Sequence, residues 1–185
     1  IIGAQANLWT EYIPTYAQAQ YMTLPRLAAL AEVQWSAKDK KDYQSFLNRC
    51  VKLTDHYILN GYNFAKHLFD VNAELKTDTE SGSLIISLST LGDGEIYYTT
   101  DGRVPSVKSN KYETPVQIKT DTHFQARVIR SSGESRVYEE KIYFSKGTMK
   151  PIVLTEEPSK GYSFNGAPVL NDGIKGNGNY KTGRW

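Results

Sequence analysis

The sequence predicts an α+β protein in which helices come first and a small antiparallel β-sandwich follows. Two observations carry this: apolar residues recur at three- and four-residue spacing from Thr15 to Asn60, and after Asp70 the period switches to alternation. A third marks the tail, where from Ser145 onward Gly, Pro, Asn and charged residues replace any periodic pattern.

The elements follow in order. Tyr16 to Met22 reads as a separate helical turn, because Pro25 cannot continue a helix without loss of a hydrogen bond. Thr23 is the expected N-cap of the next helix, Pro25 fits its first turn, and Leu24, Leu27, Ala28, Ala31 and Trp35 share one face. A further helix spans about Asp42 to Asn60, with Tyr43, Phe46, Leu47, Cys50, Leu53, Tyr57 and Ile58 as its apolar stripe. Asn60-Gly61 closes it, since glycine accepts the left-handed conformation beyond a helix end. The stretches SLIISLST, EIYYTT, PVQIK, HFQARVI and RVYEEKIYF are short, rich in β-branched and aromatic residues, and separated by turn formers. They predict a sandwich across roughly Val71 to Phe144. Within it Asp101-Gly102 is a tight turn and Pro105 a strand stop. Tyr97, Tyr98 and Tyr112 are expected to pack in the strands rather than form a sugar platform.

Composition excludes several functions. Of 185 residues, 39% are hydrophobic and 12% aromatic, enough to build a packed core. The 22 basic and 20 acidic residues are interspersed, so no electrostatic footprint for nucleic acid is present. Cys50 stands alone, which rules out an internal disulfide framework and a thiolate metal cluster; a buried small hydrophobe is expected there. His56, His67 and His123 are too dispersed for a local ligand cluster and read as surface or packing residues. There is no phosphate loop, zinc-protease helix, nucleophile elbow or calcium loop, and neither a metal nor a cofactor is expected. No apolar run reaches membrane-spanning length. The first residues, Ile-Ile-Gly, include no initiating methionine, from which a piece of a longer polypeptide is expected.

The stretch NLWTE, Asn7 to Glu11, is the chemical candidate. As a strand it would project Trp9 and Glu11 to the same face, roughly 6–7 Å apart along the chain. A pyranose offers an apolar C–H face to an aromatic ring and hydroxyls to a charged acceptor, so such a pair suits a sugar pocket. The pattern alone favours an edge or barrel strand with a core-filling tryptophan and a solvated glutamate.

GAQANLWTEYI, followed by YMTLPRLAALAEVQWS and DYQSFLNR, resembles part of the catalytic domain of glycoside hydrolase family 20, the β-N-acetylhexosaminidases. The resemblance covers about Ile1 to Tyr62. It implies that the first motif is the last strand of a (β/α)8 barrel and that PRLAALAE lies on the helix behind it. GEIYYTTDGRVPSVKSNKYETPVQI with FQARVIRSSGESRVYEEKIYF resembles the immunoglobulin-like domain of chitobiase and hexosaminidase proteins, and GYSFNGAPVLNDGIKGNGNYKTGRW is similar to the first part of a discoidin-type carbohydrate-binding domain. The implied domains are a barrel remnant at 1–69, an immunoglobulin-like sandwich at 70–146, and a linker with an incomplete discoidin-type start at 147–185.

The resemblance further implies a retaining, substrate-assisted hydrolase acting on glycans with terminal N-acetylhexosamine, outside the cytoplasm. In that scheme the substrate's acetamido carbonyl attacks the anomeric carbon and an adjacent Asp-Glu pair assists. No Asp-Glu dipeptide occurs here, and Glu32, Asp39 and Asp42 lie on or near helices directed away from the barrel mouth, so no catalytic residue is assigned in this chain. Trp9 is implied as a wall of the terminal-sugar subsite and Glu11 as acceptor for its 4- and 6-hydroxyls. Arg26 is read as a helix residue paired with a carboxylate. The alternatives kept open are a non-catalytic carbohydrate-binding module and a structural spacer.

Overall fold

The computed structural model describes residues 3–156, 159 and 166–174. The chain divides into two compact units, Ile1–Phe69 and Asp70–Trp185, each considered by itself.

The first unit holds three helices. Helix α1 spans Tyr16–Thr23, and its first turn is closed by Thr15, whose hydroxyl accepts from the Gln18 amide at 3.2 Å. It ends where Leu24 turns extended (φ −99°, ψ 133°), the conformation imposed by the ring of Pro25 on its predecessor. Thr23 is therefore the last residue of α1 and not the N-cap of the next helix; its hydroxyl donates back to the Ala19 carbonyl at 2.7 Å. Helix α2, Arg26–Trp35, starts directly after Pro25 without a side-chain cap. Helix α3, Tyr43–Leu59, is capped by Asp42, whose carboxylate accepts from the Ser45 amide at 3.0 Å, and is closed by Gly61 at φ +67°.

The following segment returns to tie the helices together. Asn63 donates its side-chain amide to the Ala17 carbonyl at 2.7 Å, and the Ala65 amide reaches the Leu24 carbonyl at 3.0 Å. Cys50, Tyr57, Phe64 and Ala65 form the small core, with the Tyr57 and Phe64 ring centroids 5.6 Å apart. The expected apolar stripes are only partly buried. Leu27 and Trp35 on α2, and Tyr43 and Ile58 on α3, face solvent, Trp35 at 88% exposure. Helical periodicity marks an apolar face, but burial needs a partner surface, and α1 and α3, against which α2 packs, leave Leu27 and Trp35 uncovered.

The expected N-terminal strand does not form. Residues 3–10 run without regular secondary structure, and Glu11-Tyr12 form a turn, with the Ile13 amide bonded to the Thr10 carbonyl at 3.0 Å. A strand exists through ladder hydrogen bonds to a neighbour, and no described residue of this unit supplies one.

The second unit is a two-sheet antiparallel sandwich. Its strands are β1 (Asn72–Asp78), β2 (Ser83–Ser89), β3 (Glu95–Thr99), β4 (Asn110–Lys111), β5 (Val116–Ile118), β6 (Thr122–Arg130), β7 (Gly133–Glu134) and β8 (Tyr138–Ile142). One sheet has the order β1-β2-β5, the other β4-β3-β6-β7 with β8 also paired to β6. Alternation sets the faces: Leu84, Ile86 and Leu88 of β2 meet Phe124, Ala126 and Val128 of β6, with Ile96, Ile118 and Ile142 completing the core. Burial of each such aliphatic side chain contributes about 1.5–3 kcal/mol. Strand β1 was not among the expected strands. NAELKTD carries only Ala73 and Leu75 as inward apolar residues and pairs along a single edge, with Leu75 opposite Ile86.

The expected tail of Gly/Asn-rich chain falls largely outside the described residues. Within the described part, residues 166–174 return to the sandwich: the Tyr143 amide donates to the Gly173 carbonyl at 2.8 Å and Ile174 bridges to Ile142.

Candidate functional site

Trp9 and Glu11 lie on the segment that precedes α1. Trp9 is 73% exposed, and Leu8, Glu11 and Tyr12 are exposed beside it, so an aromatic ring and a carboxylate stand open to solvent two residues apart. The same-face geometry expected of a strand is not present, for want of the ladder. Two glutamines tether the segment to the helices: Gln34 on α2 donates to the Ala4 carbonyl at 3.3 Å and Gln18 on α1 to the Tyr12 carbonyl at 3.4 Å. Their contribution was not legible in advance, since a side chain reaching a loop carbonyl leaves no periodic signal.

Among the described residues, Arg26 pairs with no carboxylate. Its guanidinium donates to the Tyr21 and Met22 carbonyls at 3.1 and 2.9 Å, where α1 leaves its last acceptors unbonded. The charge pairing expected of it belongs instead to Arg49, which grips Glu32 with two hydrogen bonds at 2.9 and 2.8 Å. That hydrogen bond holds the Glu32 carboxyl below the usual carboxylate range, aided by the Ser36 hydroxyl at 3.0 Å. Beside the pair, α2 and α3 enclose an open cavity of about 300 Å³ lined by Ala28, Ala31, Trp35, Phe46, Cys50 and Leu53. Burial pushes the Cys50 thiol up, which keeps it protonated and unsuited to nucleophilic attack. Asp39 sits in a short 3₁₀ turn and Asp42 caps α3.

In the sandwich, Asp101 performs turn chemistry, accepting from the Arg103 amide and side chain at 3.1 and 2.7 Å, with Gly102 at φ +79°. His67 packs 6.3 Å from Tyr21, whereas His123 bonds Glu139 at 2.6 Å. Tyr98 stacks on Phe124 at 5.6 Å, and Tyr112 packs against the core and bonds the Leu88 amide at 3.0 Å. Tyr97 differs from the packing expectation: it faces outward and donates to Glu95 at 2.7 Å. Among the described residues, no cluster of three or more His, Cys, Asp or Glu side chains is placed to hold a metal, and no helix is long and apolar enough to cross a membrane.

Comparison with known proteins places these features. Residues 1–38, which include Trp9, Glu11, α1 and α2, match the glycosyl hydrolase family 20 catalytic domain, and residues 75–148 match the chitobiase/beta-hexosaminidase C-terminal domain. The chain is 30% identical over 141 residues to a beta-hexosaminidase of Porphyromonas gingivalis, covering 72% of this chain and 17% of that protein. It is 43% identical over 49 residues to a beta-N-acetylhexosaminidase of Cellulomonas fimi, covering 26% of this chain and 10% of that protein. This chain thus spans under a fifth of either relative's length. On these matches the chain joins part of a family 20 glycosyl hydrolase catalytic domain to a chitobiase/β-hexosaminidase C-terminal domain.

Proposed function

We propose that this chain is part of a retaining, substrate-assisted β-N-acetylhexosaminidase that removes terminal N-acetylglucosamine or N-acetylgalactosamine from glycans outside the cytoplasm. The observation that carries this reading is the order of the two domain matches, catalytic then C-terminal, on one chain whose relatives are hexosaminidases. In the whole enzyme, residues 1–69 contribute a strand and helices of a (β/α)8 barrel. The solvent-facing Leu27 and Trp35 of α2 support this, since an apolar helix face is stable when covered by further elements. The sandwich serves as an immunoglobulin-like module, and residues 147–185 lead into a discoidin-type domain.

The residues of this chain then bind and orient. Trp9 offers its ring to the apolar face of the terminal sugar, and Glu11 accepts hydrogen bonds from its 4- and 6-hydroxyls. A charged acceptor of this kind contributes about 1.5–3 kcal/mol, enough to set orientation. Proton donation to the leaving oxygen and stabilisation of the acetamido group fall to an Asp-Glu pair that this sequence does not contain.

The test is release of aglycone from an aryl N-acetyl-β-glucosaminide by the 185-residue chain and by a longer protein that includes it. Turnover by the longer protein alone supports the division of roles. Turnover by the short chain places the acid within these residues and overturns it.

A further inference from the structure

The loop between β3 and β4, residues 100–109, is held as a rigid frame. Gly102 donates its amide to the His123 carbonyl at 2.8 Å, and Asp101 and Arg103 neutralise one another. The Thr99 hydroxyl bonds the Arg103 carbonyl, and Pro105 is fully buried with its carbonyl facing Arg127 Nη1 at 3.4 Å. Ser106 and Ser109 close the far end by reciprocal hydrogen bonds, the Ser106 amide to the Ser109 hydroxyl at 3.0 Å and the Ser109 amide to the Ser106 carbonyl at 2.9 Å.

This frame encloses an open cavity of about 340 Å³ in which the polar groups divide into two sets. Thr99, Asp101, Arg103, Ser106 and Ser109 are consumed in holding the loop. The Thr100 hydroxyl, the Lys108 ammonium and the Asn110 carboxamide also line the cavity, and none of the three side chains bonds another described residue. Together they supply donors and acceptors in one place, on a backbone already fixed, so a ligand would meet them without a further cost of ordering the loop. With Arg103 committed to Asp101, a single free cation remains, which is poor recognition for a phosphate or other strong anion. Hydroxyl and carboxamide groups that both donate and accept match a polyol, and the ammonium matches a carbonyl oxygen.

We propose that this cavity is an ancillary saccharide subsite, in which Thr100 and Asn110 bond sugar hydroxyls and Lys108 bonds an acetamido carbonyl. The choice of an N-acetylated sugar rests on the hexosaminidase reading; the cavity and its three free groups do not. The subsite lies in the sandwich unit and is separate in sequence from the Trp9–Glu11 segment. It would hold a glycan without acting on it.

The experiment is an amide-resolved NMR titration of the full 185-residue chain with N,N′-diacetylchitobiose. The expected result is saturable shifts at residues 99–110 with a dissociation constant in the millimolar range. Asn110→Ala and Thr100→Ala should each weaken binding about threefold to tenfold, the loss of one neutral hydrogen bond, with the remaining spectrum unchanged. Because neither side chain belongs to the frame, the loop should stay folded in both variants. Shifts confined to the neighbourhood of Trp9 and Glu11, undiminished binding by Asn110→Ala, or displacement of the disaccharide by inorganic phosphate would each overturn the subsite. If the longer protein hydrolyses the aryl glycoside while residues 99–110 remain unperturbed by the disaccharide, the subsite fails and the enzymatic reading stands.

Discussion

Arg49 on α3 holds Glu32 on α2 by two hydrogen bonds, at 2.9 and 2.8 Å, and so links the two helices. Neither helix buries a continuous apolar face, so this polar clasp supplements a core centred on Cys50 and Phe64.

The clasp predicts a pH dependence. The folded state holds the Glu32 carboxyl below its ordinary value of 4.5, chiefly through the Arg49 hydrogen bond. A depressed carboxyl pKa means that the unfolded state binds the proton more readily, so the contribution is present above 4.5 and is lost as pH falls below it. Glu32→Gln should therefore be less stable than the parent at neutral pH, and the difference should shrink progressively on acidification beneath that value. Urea unfolding at a series of pH values checks this; a gap that stays constant down to strongly acid solution would remove the clasp from the account.

Phe124 is fully buried and stacks on Tyr98 where the two sheets meet. Phe124→Ala should destabilise the sandwich by about 3–5 kcal/mol, the sum of lost transfer energy and a cavity that rigid sheets cannot close. Denaturant unfolding followed by a probe in the sandwich measures it. A loss below about 1 kcal/mol would mean that the core repacks freely, contrary to the interlocked faces of β2 and β6.

Gly102 has no room for a side chain. At φ +79° a Cβ would stand 2.3 Å from Nδ1 of His123. Gly102→Ala is expected to cost about 1–2 kcal/mol from the backbone alone, with more from displacement of the imidazole. Displacement would also disturb the 2.6 Å contact of His123 with Glu139, so the amide and ring signals of His123 should move. A neutral substitution would show that the turn relaxes.

On the proposed function, Glu11 sets selectivity in a longer protein that includes this chain. Glu11→Gln should lower kcat/KM by about tenfold or more, the equivalent of a charged hydrogen bond, and narrow the preference between epimers at the 4-hydroxyl. The acid limb of the pH–rate profile should be retained. Its disappearance would make Glu11 the proton donor and refute the binding role.

Much of the fold was legible because local rules dominate where they were read. Asp42 before a 3.6-residue pattern and Asn60-Gly61 after it mark α3 at both ends, and β2, β3 and β6 announce themselves by β-branched and aromatic alternation. The misplaced cap at Thr23 has a physical cause: a threonine beside Leu-Pro can end one helix as readily as begin the next, and the choice depends on the Arg26 and Ala19 contacts. Strand β1 escaped because an edge strand can be polar on both sides of its few apolar residues.

The sequence by itself determined the helix-then-sandwich order and the inward faces of the central strands. Those follow from periodicity, turn chemistry and motif, each of which is written within a few neighbouring residues. Only the tertiary structure decided that Arg49 rather than Arg26 carries the carboxylate pair, that Tyr97 faces outward, and that residues 3–10 form no strand. The Arg49–Glu32 pair joins residues on different helices and the strand has no partner among the described residues, and pairing across space has no local signature; Tyr97 bonds Glu95 only two residues away, on the outer face of β3.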